Sequence, residues 1–71
     1  MIDPTRHEVL KTLAEISELA PEVRFGQLIV NLSYQARGLS NESIWDMEDA
    51  ELLDVARKHL EAWRSRRAVP A

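Results

Sequence analysis

Apolar residues recur at three- and four-residue spacing in three stretches of the chain, and the polar residues between them fall on the other side of a helical wheel. In the first stretch Val9, Leu10, Leu13, Ile16 and Ala20 form one stripe, with Glu8, Lys11, Glu15 and Glu18 turned mostly away. Asp3-Pro4 reads as its start. The aspartate can accept from free first-turn amides, and the N–H that proline lacks has no partner there anyway. Pro21 disfavours helical geometry at Ala20, so this helix is expected over 4–19.

In the second stretch Phe25, Leu28, Ile29, Leu32 and Ala36 fall within roughly 100° of the wheel. Gly38 suits a left-handed C-terminal cap, giving a helix over 24–37. The third opens at Asp46-Met47-Glu48-Asp49, where carboxylates at the cap and first turn are favoured by the helix dipole. Leu52, Leu53, Ala56, Leu60 and Trp63 make its stripe, and it is expected over 47–65. The connector at 39–46, rich in Ser and Asn, holds Ile44 and Trp45, which are expected to fold back as a plug on the core.

Nothing alternates with period two. The expected fold is all-α, a small three-helix bundle with an ordered connector, one domain over 1–67 and a frayed tail at 68–71. Its core is expected to hold Val9, Leu13, Ile16, Phe25, Leu28, Ile29, Leu32, Leu53, Ala56 and Leu60. With 71 residues the chain has room for one domain, burying about 60% of its unfolded surface, and without cysteine it has no disulfide to compensate. It is 45% hydrophobic and 30% charged, normal for a folded domain. No apolar run reaches membrane-spanning length and no signal pattern opens the chain, so a cytoplasmic protein is expected.

The second helix has an unusual far side. Gln27, Asn31 and Tyr34 lie together opposite the buried stripe, flanked by Arg24 and Gln35, with almost no charge among them. Solvated helix faces ordinarily carry Glu, Lys and Arg. Amides and a phenol make directional bonds at modest desolvation cost, which suits a surface that becomes covered. Gly26 costs a helix roughly 1 kcal/mol against alanine, and it is easier to understand if a backbone or a ring such as Trp45 or Trp63 passes close by. Two readings stay open. The row contacts a partner, or it bonds the free backbone groups of the connector.

The stretch Pro21-Glu22-Val23-Arg24-Phe25-Gly26-Gln27-Leu28-Ile29, then Asn31, then Trp45 before Glu48-Asp49 and Leu52, resembles a group of short bacterial proteins of unassigned function. Their shared pattern is Arg-(Phe or Leu)-Gly-Gln-Leu-(Ile or Leu), then Asn, with a later aromatic and Glu-Asp-x-x-Leu. The resemblance covers about half the chain and places Arg24, Gly26, Gln27, Asn31, Glu48 and Asp49 at motif positions. It implies a recurring bacterial small protein and brings no activity with it. The chain departs from the pattern at Trp45, where Phe or Tyr stands, and in its basic C-terminal end.

No catalytic signature is present. His7 and His59 stand apart, no serine has an elbow motif, and two isolated glycines make no phosphate loop. Glu48, Asp49 and Glu51 lack calcium-loop spacing and suit a helix start better. A non-catalytic protein is expected, with no cofactor, no metal and little room for a pocket. The leading function is protein interaction, by self-association or docking onto a larger protein through Arg24, Gln27, Asn31 and Tyr34. Leu19, Val30 and Val55, off the main stripes, add apolar surface to cover. The alternative is nucleic-acid binding. Arg57, Lys58, Arg64, Arg66 and Arg67 could neutralise phosphates, and the amides of helix two are types that read base edges. A net charge of −3, with six of twelve acids between Glu42 and Asp54, opposes it.

Overall fold

The computed structural model describes residues 2–68, and side chains through residue 66. Four helices follow in order: α1 Pro4–Leu19, α2 Phe25–Arg37, α3 Ser43–Asp46 and α4 Asp49–Ala68, with no strand among the described residues. The all-α fold is as expected, with one helix more. α1 starts as the sequence predicts: Asp3 Oδ1 accepts from the Thr5 N–H at 2.8 Å, and Pro4 occupies the first turn. α2 begins one residue late, with Arg24 as its N-cap. The expected 47–65 helix instead runs Asp49–Ala68, and Asp46 is not its cap but the last residue of α3. Glu48 takes the capping position. Its carbonyl receives the Leu52 N–H at 3.0 Å while the Glu51 carboxylate accepts the Glu48 N–H at 3.0 Å, the return half of a capping box. Of the tail expected at 68–71, Ala68 closes α4 and 69–71 lie outside the described residues.

Side-chain pairs fix the topology. Arg6–Asp49, Glu8–Arg57 and Glu15–Arg64 advance together, so α1 and α4 run parallel. Arg37–Glu51 and Gln35–His59 advance in opposite senses, so α2 runs antiparallel to α4. α4 packs against both, most extensively against α1, while α3 sits on α2. The thinnest dimension of the 39 × 31 × 18 Å molecule is little more than two helix layers at 8–10 Å each.

The core consists of Val9, Leu13, Ile16, Leu28, Leu32, Val55, Ala56 and Leu60, with Ile29, Leu53 and Trp63 partly buried against it. Val55, read as a stray, belongs to it, and Leu19 packs on its edge. A helix clasped from two sides needs a wider apolar arc: Val55 through Leu53 spans about 160° of α4 at 100° per residue. Phe25 was expected in this core and is 56% exposed. It points to the core side of α2 but stands at the first residue of the helix, beyond its neighbours' cover. Leu10 is likewise half exposed.

The plug does not form. Trp45 is 70% exposed and Ile44 also faces solvent, while Ser43 is the buried residue of α3. The Ser43 hydroxyl donates to the Gly38 carbonyl at 2.7 Å, the Ser40 N–H reaches the same oxygen at 3.0 Å, and the Ser43 N–H bonds the Ser40 carbonyl at 3.1 Å. The connector is thus closed by its own serines. Trp45→Ala is therefore expected to change the urea midpoint by no more than about 0.5 kcal/mol equivalent, despite removing the largest side chain of the segment. A loss of several kcal/mol would place Trp45 in the core after all.

Candidate functional site

Arg24, Gln27, Asn31 and Tyr34 follow one another at intervals of three and four on α2, a row about 15 Å long at 1.5 Å per residue. Three are exposed and Tyr34 is half-buried. Opposite them Leu28 and Leu32 fill the core, and Ser33, fully buried, satisfies its hydroxyl on the Val30 carbonyl at 2.7 Å. None of the four row side chains makes a hydrogen bond or ion pair among the described residues. Asn31 does not bond the connector, contrary to one of the two readings; the connector's serines bond the Gly38 and Ser40 carbonyls instead. Nor does anything approach Gly26, where an added Cβ would meet no atom within 4 Å. Gly26 sits in the exposed first turn of α2, and neither Trp45 nor Trp63 passes over it.

The flanking polar residues behave differently. Arg37 pairs with Glu51 at 2.8 Å, and the Gln35 amide lies 3.5 Å from His59 Nδ1. The Trp63 indole N–H donates to His59 Nε2 at 3.1 Å. Since indole only donates, the single proton of the neutral imidazole sits on Nδ1, and Gln35 must turn its carbonyl oxygen toward it. The two rings meet edge-on, with centroids 6.4 Å apart. Burial, and then the Arg66 charge, push His59 below its ordinary pKa of 6.5. The unfolded chain thus takes up this proton before the folded one. The contribution is complete above 6.5 and is lost as pH falls through 6.5 toward the folded value. Urea midpoints should therefore fall between about pH 7.5 and 5.5, and His59→Gln should flatten that slope. Glu51 acts in a lower window. The Arg37 hydrogen bond, then the Glu48 N–H, hold its carboxyl below 4.5, so its share is lost only as pH falls below that.

The basic end of α4 is largely engaged within the molecule. Arg64 reaches Glu15 at 2.6 Å and Glu61 at 3.8 Å, Arg57 reaches Glu8 at 3.9 Å, and Lys58 reaches Asp54 at 3.1 Å. Arg66 stacks on the Trp63 ring at 5.1 Å. The Arg67 side chain lies outside the described ones. Sequence reasoning could not see the α1 partners, which lie 49 residues away for both Arg57 and Arg64.

Two surface grooves, of about 350 and 410 Å³, exceed what the chain's size suggested. The first is lined by the Glu8, Glu15, Arg57 and Arg64 charges between α1 and α4, the second by Ile2, Asp3, Arg6, Leu10 and Asp49. The carboxylates of Glu48, Asp49 and Glu51 diverge, Asp49 to Arg6 and Glu51 to Arg37. No group of three His, Cys, Asp or Glu able to hold a metal occurs among the described residues. No helix among them is long and apolar enough to cross a membrane. Comparison with protein-family models, curated proteins and solved structures finds no match.

Proposed function

We propose that the protein is a small non-catalytic interaction module of the cytoplasm, self-associating or docking onto a larger protein through the charge-poor face of α2. One observation carries this reading: Arg24, Gln27, Asn31 and Tyr34 form a continuous row, and none of their side chains makes a hydrogen bond or ion pair among the described residues. A partner covering it would desolvate one cation and three neutral polar groups, and would meet donors and acceptors that fix its register. The residues carrying the resemblance to short bacterial proteins divide the same way. Glu48 and Asp49 serve the start of α4, whereas Arg24, Gly26, Gln27 and Asn31 are exposed. Nucleic-acid binding through α4 is the weaker reading, since phosphates would compete with Glu8, Glu15 and Asp54 for the same cations.

Asn31→Ala is the deciding substitution. The isolated domain should keep its urea midpoint, while association weakens by about 1–3 kcal/mol, roughly 5- to 150-fold in Kd. Sedimentation velocity across protein concentrations reads self-association, and co-purification from the native host reads a second protein. Loss of neither stability nor association on Asn31→Ala and Tyr34→Ala would reduce the row to ordinary solvated surface.

A further inference from the structure

The segment between the end of α2 and the start of α4 carries a second set of exposed apolar side chains. Leu39 is 88% exposed there, Trp45 70%, and Ile44 also faces solvent. All three lie between α2 and α4, in the segment closed by the serine hydrogen bonds to Gly38. Single exposed apolar residues are commonplace, but three large ones in one short, internally closed segment are not what a solvated loop requires. The segment that carries them is acidic. No Lys or Arg occurs between Arg37 and Arg57, and the stretch holds six acids. Three of these are neutralised within the fold, Asp49 by Arg6, Glu51 by Arg37 and Asp54 by Lys58. Glu42, Asp46 and Glu48 make no ion pair among the described residues; Asp46 and Glu48 feel the Arg37 charge at longer range, and Glu42 accepts from Ser40 and from its own backbone N–H.

We infer that the Leu39, Ile44 and Trp45 surface, rimmed by Glu42, Asp46 and Glu48, binds a lysine- or arginine-rich amphipathic segment of another protein. Tryptophan and the two aliphatic side chains supply the apolar anchor site. The three carboxylates outside ion pairs match cations at the rim and speed encounter. A second copy of this chain fits less well, because Arg57, Lys58 and Arg64 are already paired and Arg66 is stacked on Trp63, leaving Arg24 and Lys11 as separate exposed cations rather than a basic run. An anionic lipid surface or nucleic acid would be repelled by the rim.

The test uses three synthetic helical peptides of one apolar pattern, Leu/Lys, Leu/Gln and Leu/Glu, titrated calorimetrically into the whole protein. The Leu/Lys peptide should bind, with affinity falling several-fold as salt rises from about 50 to about 500 mM. The Leu/Gln peptide should bind at least about tenfold more weakly and the Leu/Glu peptide not at all. Trp45→Ala should weaken Leu/Lys binding about tenfold or more without unfolding the protein, since the ring is exposed. Changing Glu42→Gln, Asp46→Asn and Glu48→Gln together should remove the salt dependence. Asn31→Ala should change nothing, which separates this surface from the α2 row. Absent Leu/Lys binding, equal Leu/Gln binding, or indifference to Trp45→Ala would overturn the inference. So would burial of Trp45 on raising protein concentration alone, seen as a blue shift in Trp63→Phe protein; should that variant not fold, Trp45→Ala in sedimentation velocity makes the same distinction.

Discussion

Leu32→Ala is expected to lower the unfolding free energy by about 2–5 kcal/mol, the largest effect of any single truncation in α2. Leu32 is fully buried midway along α2, in the one cluster that joins α1, α2 and α4. Its loss removes the transfer free energy of the side chain and leaves a cavity that a thin bundle has few atoms to refill. A domain of 71 residues has a total stability of about 4–11 kcal/mol, so the variant should be partly unfolded at room temperature or melt far below the parent. Chemical denaturation followed by circular dichroism reads this directly. Lys11→Ala, at an exposed position, should stay within about 0.5 kcal/mol of the parent. A loss below about 1 kcal/mol for Leu32→Ala would mean that α2 is held by something other than this cluster.

Gly38→Ala should cost about 1–3 kcal/mol for a different reason. Gly38 has φ 98° and ψ 176°, a backbone region that only glycine occupies readily. The left-handed cap expected from the sequence is realised in the sign of φ and in the Gly38 N–H bond to the Tyr34 carbonyl at 2.8 Å, but the extended ψ sends the chain into the connector instead. No atom would clash with an added Cβ, so any cost is conformational. Gly26→Ala is the internal comparison. Gly26 lies in the first turn of α2 with the same open space around it, and alanine there should stabilise by up to about 1 kcal/mol. Equal effects at both glycines would contradict the backbone assignment.

α1 and α2 were legible because apolar period, proline and glycine point to the same boundaries, whereas α4, with neither glycine nor proline at its start, begins two residues later than its acids suggested. A helical wheel gives the direction of a side chain but not how far its neighbours extend along the axis, which is why Phe25 was misplaced. Apolarity in a connector was taken for burial, which is why Trp45 was. In both cases the missing information is tertiary. The width of the α4 stripe is of the same kind: Val55 falls outside a one-sided helix and inside a two-sided one. At the candidate site, the position of the Arg24–Tyr34 row on the outer face of α2 could be read from spacing alone. That its side chains make no bonds could not, because this depends on which groups of other segments come within reach in the folded chain. The acidic stretch before Arg57 was visible in the sequence, and only the structure shows which of its carboxylates form ion pairs.

The parallel pairing of α1 with α4 governs the order in which the molecule can assemble. Its cross-links join residues 43 and 49 positions apart, Arg6 to Asp49 and Glu15 to Arg64. A bundle of consecutive neighbours would be built from local contacts, whereas here the entropy of closing most of the chain must be lost before the main interface forms. A nascent chain carrying only α1 and α2 lacks the helix against which both pack, so their apolar stripes stay bare to solvent and to chaperones during synthesis. The core is expected to form only once Val55, Ala56 and Leu60 are present.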